Sequence, residues 1–426
     1  MKRVRRRAPV EPPANEFTES SLQVIPRSLP FLETSSNWVS QKAKPNIGRM
    51  LQHLFNQLVD TRHDTRHSLS LDEIENFEVL ATVDQGLFHA GLAIASVYYD
   101  TGTSGLYHCQ QTLKIVSRRL SDSYLQSSDE TIGAVGLLLI HDTLTGAADN
   151  SSLHLYGLER MVDARGGLHF LPDRLRRTLS MIDTFYATTW NSQPRFPFMQ
   201  PPKDLTGTLN SFPLLTNFDL KLLNLRTPVG IYLGVKEILQ VLRILTGIRF
   251  ADPVSVFNKL ALSDAIYILE WQLLPTQDPL SALYHSSFGS EIPKAFRFAA
   301  FLYIDVVLRE MHSVNIGILV RKLLESLQED LGDLWQYQKN CQYDDGVLLW
   351  ICFIGRVAST SIEEKQVFTQ GLKLICKEKN FETLTEMEEV IDKTGPGLQS
   401  FSKQSAELWI EFSALRGGES SHVPIP

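Results

Sequence analysis

Apolar side chains return every three to four residues from about Ile47 to Leu415, and strand-like alternation is scarce. That spacing puts the apolar positions on one face of a 3.6-residue helix, so the body of the chain can fold as packed helices but not as a sheet. Met50, Leu51, Leu54, Phe55 and Leu58 line one face of the first segment, and Phe77 to Tyr99 is almost continuously apolar, as a central buried helix would be. Further helix-period stretches run over residues 131–145, 153–168, 173–190, 229–246, 254–272, 295–311, 316–331, 346–358, 362–377, 382–393 and 400–415.

The stretch from Leu153 to Leu168 carries its own punctuation. Leu155, Leu158 and Val162 share a face, Ser151 or Ser152 is placed to cap the start, and Gly166-Gly167 supplies a left-handed stop onto which Leu168 can fold back. Glu159, Arg160 and Arg165 are expected on its solvated face. The short connection from Thr145 through Asn150 predicts an antiparallel hairpin with the preceding helix. Five prolines between 191 and 215 predict a loop crossing or an internal boundary. The expected fold class is all-α: an extended multi-helix array of antiparallel helical hairpins with no substantial sheet. Residues 1–45, basic and then Pro-rich, and residues 417–426 read as disordered tails around one helical domain over 46–416.

Composition excludes more than it assigns. Hydrophobic content of 43% and charged content of 21% are those of a folded chain, and a net charge of −7 argues against a general polyanion binder. The four cysteines, Cys109, Cys341, Cys352 and Cys376, form no Cys-x-x-Cys pair, which fits small core thiols in a reducing compartment better than a zinc site. The basic start leads into Pro9, Pro12 and Pro13 and not into an apolar run, so no secretory signal is expected, nor any association with a membrane. His63 and His67 stand at i, i+4, a spacing that could grip a metal, but no third ligand accompanies them. His108-Cys109 has the look of a Cys–His pair, yet flanking Leu106 and Leu113 point to a buried structural thiol. Asp344-Asp345 lacks the third carboxylate of a magnesium–diphosphate motif and reads as a helix N-cap. There is no Gly-x-Ser-x-Gly elbow, dinucleotide fingerprint or Walker loop, so no residue is expected to be catalytic, to bind a cofactor or to ligate a metal. Lys2, Arg3, Arg5, Arg6 and Arg7 are the one candidate site, for nuclear import or for contact with nucleic-acid phosphates.

Four blocks in order carry a resemblance: 154–168 with its apolar partner 132–144, then Met181 to Trp190 followed by Pro194-Arg-Phe-Pro197, then Ala299 to Glu310, then Leu348 to Ala358 with Phe368 and Leu372. Together they resemble the regulatory domain of fungal-specific transcription factors, the helical part that follows a binuclear zinc cluster. The resemblance implies a nuclear transcriptional regulator with protein partners in the transcription machinery, a homo- or heterodimeric state and a small-molecule effector. It departs at the DNA-reading end, because the six cysteines of a zinc cluster are not found before Cys109, whether lost or encoded upstream. DNA contact is therefore expected only indirectly, or non-specifically through the basic N-terminus. The alternatives are an all-α enzyme or ligand-binding protein of fungal secondary metabolism, such as a terpene-cyclase-like protein, and a helical scaffold.

Overall fold

The computed structural model describes residues 84–99, 104–199, 234–250, 256–275, 292–311, 313–331, 344–381 and 383–396. Among them the fold is all-α, with twelve α-helices and no strand. The first five are α1 (Gln85–Tyr99), α2 (Ser104–Leu120), α3 (Asp129–Leu144), α4 (Ala148–Ala164) and α5 (Asp173–Trp190). They are followed by α6 (Val235–Phe250), α7 (Val256–Leu273), α8 (Lys294–Tyr303) and α9 (Val314–Leu331). The last three are α10 (Asp345–Ala358), α11 (Ile362–Glu378) and α12 (Leu384–Thr394). Sequence neighbours pair as hairpins: α1 with α2, α3 with α4, α6 with α7, α8 with α9 and α10 with α11.

Two helices organise the packing. The α3 helix is buried along almost its whole length and touches α1, α2, α4, α5 and α9, so it holds the central place that the sequence suggested for the Phe77–Tyr99 stretch. The described part of that stretch, α1, is also largely buried but packs chiefly on α2 and α3. The α10 helix is the second centre, against α8, α9, α11 and α12. Its Trp350 is fully buried with ring centroids 5.8 Å from Phe296 and 5.7 Å from Tyr303. Gly355 lets Phe368 of α11 lie directly on the α10 backbone, where a Cβ would collide with the ring.

Helix ends follow local chemistry. Ser128 caps α3 by accepting the Thr131 N–H, Ser361 caps α11 by accepting the Glu364 N–H, and Thr383 with Glu386 forms a capping box on α12. At the C-terminus of α4, Gly166 N–H donates to Asp163 O and Gly167 N–H to Val162 O, with both glycines at positive φ and Leu168 buried. This is the expected glycine stop, a Schellman motif. The α4 start differs from expectation. The helix begins at Ala148, its N-cap Ala147 makes no side-chain cap, and Ser151 is buried within the first turns with its hydroxyl donating to Ala148 O.

Two further differences matter below. The α2 helix had no counterpart in the sequence reading, and its Leu106 and Leu113 face outward, not into a core. The segment read as one helix over 295–311 becomes a π-helical turn over Ile304–Leu308, with Arg309 N–H donating to Ile304 O at 2.9 Å and Glu310 at positive φ. A π turn widens the helix by one residue per turn, and such turns often accompany special side-chain arrangements.

At the far end of the chain, Arg243 of α6 closes a long loop. Its guanidinium donates to the carbonyls of Asp392, Lys393 and Gly395 at the C-terminus of α12, where a cation meets the negative end of the helix dipole.

Candidate functional site

The side chains that carry unusual electrostatics form three groups, and each joins elements far apart in sequence. The first is a latch on the turn after α5. Asp183 is fully buried midway along α5, and its Oδ2 accepts the backbone N–H of Phe196 at 2.6 Å. Burial pushes this carboxyl up to about 7, although the backbone N–H groups of Phe196 and Arg195 pull it down. The same turn is held from α7: Tyr267 Oη accepts the Met199 N–H at 3.0 Å, and its ring stacks on Phe198 with centroids 5.4 Å apart. Phe196 is itself buried. Asp183 lies within the block Met181 to Trp190 of the sequence resemblance, and Phe196 lies in the Pro194-Arg-Phe-Pro197 that follows it, so this carboxyl tethers the backbone of one part of the block to the other.

The second group is a buried ion network. Arg309, just after the π turn, makes a bidentate contact to Glu270 of α7 (2.5 and 2.8 Å) and a third to Asp305 at 3.0 Å. All three side chains are less than a tenth exposed. Burial drives Asp305 upward even beside Arg309, whereas the two carboxylates outweigh burial for Arg309 and hold its pKa above the ordinary arginine value. A second buried pair joins Arg177 of α5 to Asp264, which is also on α7. Burial raises Asp264 to about 6 and lowers Arg177, each partly offset by the other. A planar guanidinium suits such sites because it satisfies several acceptors at once.

The third group lies where α2, α3 and α4 meet. Asp142 of α3 bridges His141 at 2.9 Å and His154 at 3.3 Å, and Cys109 Sγ sits 3.5 Å from His141 Nδ1. Burial raises Asp142, but the two imidazoles more than reverse this and leave it below its ordinary value. Burial and the Asp142 charge push the Cys109 thiol up to about 12, so it stays protonated and is a poor nucleophile. Its sequence neighbour His108 faces away, its Nδ1 2.9 Å from Nδ1 of His89, and burial lowers His89 to about 4. Among the described residues, no group of three or more His, Cys, Asp or Glu is disposed to hold a metal ion.

The basic cluster Lys2, Arg3, Arg5, Arg6 and Arg7 lies outside the described residues, as do His63 and His67. Asp344 caps α10 by accepting the Gly346 N–H at 2.9 Å, and Asp345 pairs with Lys379. The expected solvated face of α4 is partly engaged: Glu159 pairs with Arg195, and Arg165 reaches Asp129 and the Ser127 carbonyl, while Arg160 is exposed. The sequence reading missed Glu270, Asp264, Arg177 and Arg309. Their one signal was ionisable residues embedded in apolar helices, as in Leu262-Ser-Asp-Ala-Ile-Tyr-Ile-Leu-Glu270.

The first arrangement ties the turn after α5 to α5 and α7, and the other two lock helix to helix. No described helix is long and apolar enough to cross a membrane. A family model described as fungal specific transcription factor domain matches residues 74–394. No curated protein and no solved structure matches.

Proposed function

Because the chain belongs to the fungal specific transcription factor domain family, we propose that it is a nuclear transcriptional regulator, acting as the interaction and regulatory part of such a factor without a zinc cluster of its own in these residues. The match over 74–394 is the observation that carries this reading, because it spans the helical body in which Asp183, Asp305 and Arg309 hold the helices together. On this reading the partners are proteins of the transcription machinery. A homo- or heterodimer contact or a small-molecule effector would act by shifting the packing of the same body. DNA would be met indirectly, or through Lys2, Arg3, Arg5, Arg6 and Arg7. Asp344-Asp345, expected as a helix N-cap, supplies one: Asp344 caps α10, while Asp345 pairs with Lys379.

Fusion of the full chain to a heterologous DNA-binding domain should change transcription from a matching reporter severalfold in either direction; an unchanged reporter, with the fusion expressed and nuclear, would sink the proposal. Deleting residues 1–8 should reduce nuclear accumulation of a fluorescent fusion, and unaltered distribution would remove the import role from the basic cluster.

A further inference from the structure

The α2 helix is amphipathic in an unusual sense, because both of its faces are committed. One face, with Gly105, His108, Thr112 and Val116, is buried. A flank of the helix, about a quarter turn round from that buried face, carries Leu106, Leu113 and Leu120 at intervals of seven residues, exposed by 71%, 45% and 50%. The turn that follows adds Tyr124, 90% exposed, and Leu125. Five of the eleven large hydrophobic side chains exposed among the described residues thus fall on one helix and its turn. At about 1.5 Å per residue, the three leucines span about 21 Å. Scattered exposed leucines need no explanation, but a row of them does.

The charge beside this row has one sign. Lys114 and Arg118 are exposed one turn apart on its solvent side, separated from the row by Gln110 and Ser117, and enter no ion pair with a described residue, while the neighbouring Arg119 is neutralised by Asp84. There is no Asp or Glu anywhere in α2. The nearest acid in the following turn, Asp122, uses Oδ1 to accept the N–H groups of Tyr124 and Leu125. In a chain of net charge −7, this is an apolar stripe beside two cations that no acid among the described residues compensates.

We propose that the outward face of α2 is the docking surface for an acidic amphipathic helix of a partner protein. The seven-residue rhythm presents leucines as ridges, with the smaller Gln110 and Ser117 between them, which is the surface an apolar helix face packs against. Lys114 and Arg118 select carboxylates at its flank. A second copy of this chain is a poor occupant for two reasons. A paired α2 would bring cations against cations with no acid between them. A coiled coil also needs a second apolar position in each heptad, and here those positions, Cys109 and Val116, are turned toward His141 and into the core. This inference goes beyond the transcriptional reading and stands without it.

The test uses the full chain and two fluorescein-labelled helical peptides of about twenty residues. Both carry leucines along one face; one has glutamates on its flanks and the other lysines at the same places. Fluorescence anisotropy should show the glutamate peptide binding and the lysine peptide binding roughly tenfold more weakly, in line with charge-complementary interfaces. Leu113→Glu should abolish binding while circular dichroism and the melting temperature stay those of the wild type, since the side chain is exposed. The pair Lys114→Glu and Arg118→Glu should invert the peptide preference. The proposal is overturned if neither peptide binds, or if the wild type binds both equally. A dimer in sedimentation velocity that Leu113→Glu dissolves would assign the face to a second copy instead. A large fall in melting temperature on Leu113→Glu would mean that the chain covers the stripe itself.

Discussion

Asp183→Asn separates two accounts of how the turn after α5 is held. If the tether needs a negative charge, the amide should weaken it at every pH. If the tether is a hydrogen-bond acceptor in a place hostile to charge, the amide should do the same work without the burial penalty. The buried carboxyl titrates near 7 in the folded chain against an ordinary 3.8, so the native state holds the extra proton. The stability this contributes is fully present below about pH 4 and is lost as pH rises through about 7. A shift of about 3 units at 1.36 kcal/mol each sets an upper bound of about 4 kcal/mol between those limits. Urea unfolding from pH 4.5 to 8.5, on wild type and variant side by side, reads the difference directly. Every other ionisable group is common to both proteins and cancels. A variant more stable by about 1 kcal/mol near pH 4.5, where the unfolded carboxyl is already mostly ionised, and by about 2–4 kcal/mol at pH 8.5, is the expected result. A variant that is less stable throughout, with the pH slope of the wild type intact, would refute the argument and make the Asp183 charge itself the tether.

Arg309→Met should cost about 3–5 kcal/mol, because it leaves Glu270 and Asp305 buried without a cation. Adding Glu270→Gln and Asp305→Asn should recover much of that loss, and denaturant midpoints of the single and triple variants check both statements. Gly355→Ala should lower stability by about 1–3 kcal/mol, since its Cβ has to displace the Phe368 ring; calorimetry should show that loss, and an unchanged melting temperature would contradict the close packing of α10 on α11.

The helices were legible where one apolar face met one core. The predicted 346–358 and 362–377 correspond to α10 and α11 almost residue for residue, because the buried positions of each are mostly hydrophobic and their caps are local. The α2 helix was illegible for the opposite reason. Its buried positions include Gly105, His108 and Thr112, and its leucines look outward, so its pattern inverts the usual code. The start of α4 was misplaced because two serines suggested a cap, while burial of Ser151 and the turn from α3 decided the matter. The ionic groups were hidden by distance along the chain. Arg177 and Asp264 are 87 residues apart, and Glu270 and Arg309 are 39 apart. Asp183 was visible as a motif member, but its partners were backbone N–H groups of a turn, which no side-chain pattern announces.

A stack of hairpins laid down in order has an exposed last unit, and such arrays lose structure from their ends inward. The reach of Arg243 back to the carbonyls at the end of α12, about 150 residues on, turns the latter half of this stack from a row into a ring. A ring has no last hairpin. The final helix is held by the first of its half as well as by its neighbour α10, so α6 through α12 should open together or not at all. A truncation that removes α12 would then be felt first at α6, about 150 residues before the cut.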